Sequence, residues 1–477
     1  MIRVLIIVLL CLSEVLSAQT TNDKIEEMLQ KHVVLDQFSG TILLAKDGEV
    51  LYAKAFGDAN KSYGIKNNLD TKFNTASMGK MFTGVSIMQL HEKGLLNIHN
   101  PVVSYLKDFP LGNEITIYHL LSHTSGVGRY MRHPDYRSNR HQYRTIDDLL
   151  PIIYDQKLEF TTPGERFSYS NSGMVLLGAV IEHITGQSYA EYITKNILEP
   201  TQMHNTAMRF GDEVVSNRAT GYLKSISGKH LNNNFLSSTP YPDGGILSTV
   251  GDMLKFDQSL YSSSLINETS KKEMFKALKV TYGLAFQVEN RQDNLVVGHS
   301  GGMPGFSSYF SRYLKDKYTI IVLSNYDMIA RNIAHYIEDI LYDEDYQLPK
   351  ERLRFFIYKN KETITSLDHF DAIAQYITKH KYSLKHPQRL NMIAYEFVRE
   401  NDLEFAIQLF KLNAHLFPNE ANMYDSLGEA YEKNKQYDLA LKNYEKAVAL
   451  AKKNDHRLLS SFQSTLERFK KKLNKDL

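Results

Sequence analysis

At 477 residues the chain has length for two or three domains, and 43% hydrophobic with 23% charged residues is a globular composition able to bury a sizeable core. A formal charge of +2, with no dense basic run beyond the short tail at Lys470-Lys471-Lys472, argues against a nucleic-acid binder; that tail reads as a solvated helix end.

The first twenty residues, MIRVLIIVLLCLSEVLSAQT, place Arg3 before an apolar run from Val4 to Leu12 and small residues near Ala18. This is the pattern of a secretory signal peptide over residues 1–18, too short to span a membrane, and it implies an exported chain, periplasmic or secreted. Retention as an uncleaved anchor is the alternative, because Leu16 fits poorly at the small-residue cleavage position. The only cysteine, Cys11, lies inside the apolar run behind Leu10, where a lipoprotein signal wants a small residue. The processed chain then has no cysteine for a disulfide, a thiol nucleophile or a metal. No other segment approaches transmembrane length.

Residues 19–341 read as one domain. GTILLAKDGEVLYAKAFG (Gly40 to Gly57) predicts a hairpin turning at Asp47-Gly48. Ser77 to Lys93 predicts an amphipathic helix with Met78, Met81, Phe82, Val85 and Met88 on one face, stopping at Gly94. YTIIVLSN (Tyr318 to Asn325) predicts a buried strand. Strands at both ends with helices between them predict an α+β domain whose sheet is closed by distant segments.

A polar linker, YDEDYQLPK (342–350), precedes an all-α region over 351–477. There Ala406 recurs as Ala440, Phe410 as Tyr444, Ile393 as Leu427 and Ala394 as Gly428, each 34 residues apart. That is the period and the small/aromatic placement of tetratricopeptide repeats, in which small residues let two helices approach. A generic helical hairpin is the alternative, and the helices from Arg352 onward would supply a cap or a third pair.

Three segments could carry chemistry. Gly298-His299-Ser300-Gly301-Gly302 has the letters of a nucleophile elbow, a strand-to-helix turn with an attacking serine. The helix it needs is missing: Met303-Pro304-Gly305 and a strand-like run from Ser307 to Ser311 follow instead. The elbow reading therefore fails on context. Ser77-x-x-Lys80 has better surroundings. One helical turn puts the hydroxyl and the amine on the same face, and a buried lysine can lose its proton and act as a base. Tyr169-Ser170-Asn171, after the turn signal Pro163-Gly164, sits at the mouth of an apolar helix. A phenol beside a cationic lysine can relay protons, and an asparagine amide can hold a substrate carbonyl. Taken alone, each of these segments also reads as a helix cap. His119 and His123 are four apart, but Leu120 stands where a zincin has glutamate, so both read as ordinary polar positions before the Thr124-Ser125-Gly126 turn. No phosphate loop or dinucleotide glycine pattern occurs, and neither metal nor cofactor is expected.

In their order and rough spacing these segments resemble the serine β-lactamase and penicillin-binding-protein superfamily, and most closely its branch related to class C β-lactamases, D-aminopeptidases, D,D-peptidases and esterases. LLSHTSG (Leu120 to Gly126), PGERFSYSNSGMVLLGAVIE (Pro163 to Glu182), GGILSTVGDM (Gly244 to Met253), YGLAF (Tyr282 to Phe286) and GHSGGMPGFSS (Gly298 to Ser308) are similar to that branch too, over roughly Ile25 to Leu341. The resemblance implies a β-lactamase/transpeptidase-like fold, an antiparallel sheet flanked by helices with a helical subdomain. It implies Ser77 as nucleophile, with Lys80 and Tyr169 managing its proton. Asn171, His299, Ser300, Gly301 and Gly302 would bind substrate, and the N–H groups of Ser77 and Gly302 would hold the oxyanion. Class C β-lactamases begin the third motif with lysine and here it is His299, which favours a D-peptidase, D-aminopeptidase or esterase over a β-lactamase. The substrate is then a small peptide, an ester or a β-lactam. A reading from another class remains: a catalytically weak binding protein whose repeats recruit a protein partner or self-associate.

Overall fold

Aliphatic residues at successive positions of the strands give the central sheet two apolar faces, and each face nucleates its own core. The computed structural model describes residues 21–209, 212–233 and 240–474; the signal segment read over 1–18 lies outside them. Six strands form one antiparallel sheet: β1 (Gly40–Lys46), β2 (Glu49–Phe56), β3 (Gln287–Arg291), β4 (Asn294–Met303), β5 (Phe306–Tyr313) and β6 (Tyr318–Ser324), in the order β2-β1-β6-β5-β4-β3. β1 pairs with β6 from Gly40 opposite Ser324 to Lys46 opposite Tyr318. The two ends of the domain thus close one sheet, as the sequence predicts. The β1–β2 hairpin turns at Asp47 and Gly48 with φ of 52° and 82°, the pair of positive values that a type I′ turn requires.

Side chains alternate across the sheet. Ile42, Leu44, Ile320 and Val322 face one core, completed by the helix over residues 21–34 and by a helix after β6. Leu43, Ile321, Leu323 and Phe310 face the other, larger core. Four helices matter here: α1 (Lys80–Glu92), α2 (Asn171–Thr185), α3 (Val250–Tyr261) and α4 (Ala330–Leu341). The first three contribute to the larger core, and α4 covers the first face.

The helix predicted from Ser77 departs from its amphipathic expectation. Residues 76–79 form a 3₁₀ turn and the α-helix begins only at Lys80. From Lys80 to Leu90 it is buried on every side: Thr83 and Ser86 are as covered as Met81, Val85 and Met88, and Gln89 is buried too. Their polar groups are satisfied inside, Thr83 by the Pro242 carbonyl (2.6 Å), Ser86 by the Phe82 carbonyl (2.9 Å) and Gln89 by the Leu265 carbonyl (3.2 Å). Periodicity marks a solvent face only where a helix has one, and α1 has none.

The chain divides into two compact units, the second comprising Lys224–His230 and Glu351–Leu477. The second is all helical after Glu351 and includes α5 (Pro387–Arg399), α6 (Leu403–Leu416), α7 (Ala421–Lys433), α8 (Tyr437–Lys453) and α9 (Leu459–Leu473). Its core joins Ile226 to Leu353, Phe356 and the inner faces of these helices. Gly428 on α7 faces the Tyr444 ring on α8 so closely that an added Cβ would lie 2.8 Å from it. Phe469 of α9 packs on the same ring, centroids 5.3 Å apart. Among the described residues no helix is long and apolar enough to cross a membrane.

Candidate active site

The turn carrying Ser77 is clamped from two directions. Ala76 sits at φ 47°, a left-handed backbone that is strained for alanine and persists only when its surroundings impose it. Three contacts do so here. The Ala76 N–H donates to Asn74 Oδ1 (2.9 Å), the Gly245 N–H donates to the Ala76 carbonyl (3.2 Å), and Thr75 Oγ1 donates to the Ile246 carbonyl (2.9 Å). The loop Asp243-Gly244-Gly245 approaches so closely that a Cβ on Gly244 would lie 2.4 Å from the Ala76 oxygen, and one on Gly79 2.9 Å from Gly244 Cα.

Lys80, one turn on, is fully buried. Its Nζ donates to Ser77 Oγ (3.2 Å) and, in a short contact, to the Asp243 carbonyl. The same Nζ stands 4.9 Å from the centroid of the Tyr169 ring. The Asp243 side chain is also buried and accepts from the Tyr130 hydroxyl (3.1 Å). Burial raises its carboxyl above the ordinary value, while Lys80 and Tyr130 act in the opposite sense.

Ser170 caps α2, its Oγ accepting from the Gly173 N–H (3.1 Å), so Tyr169 lies just before the helix and Asn171 is its first residue. Asn171 lines the cleft. Its Nδ2 contacts Met131 Sδ (3.2 Å), and its Oδ1 makes no hydrogen bond within the protein.

The third segment is a strand and not an elbow. Gly298 to Gly302 all lie within β4, paired with β5, and no helix follows. β3 pairs with β4 only from Asn294 to Gly298, so among the described residues the outer edge from His299 to Met303 has no neighbouring strand. Gly301 is required by packing: a Cβ there would fall 2.1 Å from the Thr75 oxygen and 2.3 Å from Ser308 Oγ. Gly302 has open space beside it and, with Ser77, lines a cavity of about 250 Å³. Asn171, Asp243, Arg140 and the rings of Tyr130, Tyr136 and Tyr241 complete its walls. Ser300 is half-buried, its Oγ accepting from Gln287 Nε2 (3.1 Å).

His299 behaves differently from its expected substrate-facing role. It is 1% exposed, and both ring nitrogens are engaged inside the protein, Nε2 with the Tyr282 hydroxyl (3.0 Å) and Nδ1 with the Ser300 carbonyl (2.6 Å). Burial, then the nearby Lys80 charge, pushes its pKa down to about 3 against the pull of the Ser300 carbonyl. The reason for the difference is tertiary: Tyr282 and Tyr169 cover the ring, at centroid distances of 5.7 and 6.3 Å.

Sequence reasoning passes over three residues that the fold brings here: Asp243, Tyr282 and His123. His123, read as an ordinary polar position, is fully buried and bonded to the Tyr282 hydroxyl (3.1 Å). Burial and the charge of Lys80 hold it well below the usual imidazole value, and burial holds the Tyr282 phenol well above its own. His119 parts company with it, giving Nδ1 to a capping box with Thr116. Signals for His123 and Tyr282 existed, in LLSHTSG and YGLAF, but spacing alone assigns them no partner.

A family model described as Beta-lactamase matches residues 25–337. A penicillin-binding protein of Bacillus subtilis (strain 168) is 32% identical over 348 residues, 68% of this chain and 76% of its own length. Among solved structures, a penicillin-binding protein from Bacillus halodurans matches with a TM-score of 0.61 at 29% identity, over 66% of this chain and 98% of that one. A D-amino acid amidase from Ochrobactrum anthropi SV3 shares the fold, with a TM-score of 0.60 at 20% identity over 68% and 99% of the two chains.

Proposed function

This chain belongs to the β-lactamase family, and on that premise we propose that it is an exported serine hydrolase working through a Ser77 acyl-enzyme on an amide or ester bond. The observation that carries the reading is Lys80: a fully buried amine bonded to a half-exposed serine hydroxyl at the wall of a cleft. Its Nζ is the amine bonded to Ser77 Oγ, and it takes the serine proton as Oγ attacks the carbonyl carbon. Tyr169, whose ring lies 4.9 Å from the same Nζ, is the group given the relay of that proton to the leaving group. The N–H groups of Ser77 and Gly302, which both line one cavity, receive the developing oxyanion. Water then cleaves the acyl-enzyme, activated by the same pair. Asn171 Oδ1, free of internal partners, binds the substrate amide.

A D-peptidase, D-aminopeptidase or esterase activity fits best. The buried, neutral His299 offers no cation on β4 for an antibiotic's carboxylate. Penicillin binding, or class C-like β-lactamase turnover, is the second reading, favoured by the 32% identity to a penicillin-binding protein. The helical unit with its 34-residue period would serve a protein partner or self-association.

Labelling with a fluorophosphonate and with a fluorescent penicillin, in wild type, Ser77→Ala and Ser300→Ala, tests these readings. Loss of label in Ser77→Ala alone is expected. Label that survives Ser77→Ala and vanishes in Ser300→Ala refutes the acyl-enzyme at Ser77. No label with either probe favours a binding protein.

A further inference from the structure

His123, Tyr282 and His299 form a line of three buried side chains beside Lys80, and the backbone groups at its two ends fix every proton in it. At one end the Ser170 N–H donates to His123 Nδ1 (3.3 Å), so the proton of that imidazole sits on Nε2. The Nε2–H donates to the Tyr282 oxygen (3.1 Å), and the phenol donates onward to His299 Nε2 (3.0 Å). His299 then keeps its proton on Nδ1 and donates it to the Ser300 carbonyl (2.6 Å). Donors and acceptors match only in this one direction, with both rings neutral.

The start of this line also grips Tyr169 on both sides. The N–H of Ser168 donates to the His123 carbonyl (2.8 Å), and the N–H of Ser170 donates to its ring. The phenol ring between them lies against the imidazole, centroids 4.4 Å apart. His123 holds φ at 55°, a left-handed backbone that a bulky residue adopts only when its contacts impose it.

We infer that His123 is the positioning residue for Tyr169: its carbonyl and Nδ1 fix the backbone on either side of that phenol. This rests on the proposed role of Tyr169 in moving the Ser77 proton. The grip needs His123 Nδ1 and does not need the Tyr282 arm. Tyr282 in turn holds His299 and, through it, the carbonyl of Ser300 on the open strand edge.

Two substitutions separate the arms. Asparagine places an acceptor where Nδ1 stands, tolerates the left-handed backbone, and falls short of Tyr282. Glutamine reaches Tyr282 and leaves the Ser170 N–H bare. With the full chain and a p-nitrophenyl ester as probe, His123→Asn should keep kcat within about threefold of wild type. His123→Gln should lose on the order of 30- to 100-fold in kcat with KM changed by less than about threefold, the scale of a catalytic group displaced by an ångström. Combining His123→Gln with Tyr169→Phe should lose no more than Tyr169→Phe alone, since one acts through the other. Multiplying losses would overturn the inference, as would wild-type kcat in His123→Gln or an equal loss in both single variants. Should either His123 variant melt before assay temperature, Tyr282→Phe decides: it breaks the Tyr282 arm and leaves the Nδ1 grip, so a kcat loss shallower than that of Tyr169→Phe is expected, and a loss as deep overturns the inference. Ser77→Ala runs alongside. If it retains turnover, the hydrolase reading itself fails; if it is dead while the losses multiply, only the role given to His123 fails.

Discussion

Around the cleft the first unit buries Lys80, His123, His299, Asp243 and, deeper in the same core, the ion pair of Arg312 with Asp257. The helical unit, among its described residues, buries no charged side chain and only Asn391, Asn413 and Ser426 of the polar ones. Glycine follows the same division: from Glu351 onward Gly428 stands alone, while loops of the first unit press glycines against the Ser77 turn. Burying an ionisable group costs free energy that packing does not require. The first unit carries that cost in full beside the cleft, where a reaction can use it; the helical unit carries it only in part, at the half-buried Asp425.

The sharpest way to break this contrast is to remove the buried charge. Lys80→Met keeps the volume and deletes the amine, so kcat on an ester probe should fall by about 10³-fold or more. Thermal stability should fall by about 1–3 kcal/mol, less than the activity loss, because the Asp243 carbonyl is left without its Lys80 donor. A variant that loses stability as steeply as activity would mean that Lys80 serves packing.

Glycines sharpen the comparison next. Gly301→Ala drives a Cβ into the Thr75 carbonyl and so displaces the Ser77 turn; kcat should drop on the order of 10²-fold. Gly428→Ala meets the Tyr444 ring instead. The better helix propensity of alanine, worth up to about 1 kcal/mol, is outweighed by overpacking of about 1–3 kcal/mol. Urea unfolding should show that loss in the helical unit, with kcat unchanged within about twofold.

The smallest effects are in pH, and they have opposite signs in the two units. His299 has a folded pKa of about 3, below its ordinary 6.5, so between these values the unfolded chain binds the extra proton. Its contribution is present above pH 6.5 and declines as pH falls, by about 1.4 kcal/mol per pH unit. The stability difference between wild type and His299→Gln should therefore shrink from pH 6.5 to pH 5. Asp425 in the helical unit is pushed up to about 6, first by burial and then by Glu429. Its folded form binds the extra proton, so its stabilising contribution is present below pH 3.8 and lost as pH rises through 6. Asp425→Asn should be more stable than wild type at pH 7, with the advantage fading on acidification. Chemical denaturation across pH 5–7 reads both; the same sign in both variants would contradict the burial described.

Much of the site was legible because it is local. Ser77 and Lys80 are one turn apart, and that spacing alone brings amine to hydroxyl. Asp47-Gly48 encodes its own turn, and the lack of a helix after Gly302 was enough to reject the elbow. The amphipathic reading of α1 failed for the converse reason, since polar residues at helical spacing say nothing about side chains that find partners inside. Gly301, expected to bind substrate, is glycine because the Thr75 carbonyl and the Ser308 hydroxyl leave no space for a Cβ.

By itself the sequence determined which candidate groups lie one turn apart, which turns form, and that distant strands share a sheet, because those follow from chemistry and from neighbours three or four residues apart. Only the tertiary structure decided which way His299 faces, that His123 reaches Tyr282, and that the Asp243 loop clamps the Ser77 turn. Contacts of that kind join residues far apart along the chain. Their geometry is set by how whole elements pack, and local spacing carries no record of it.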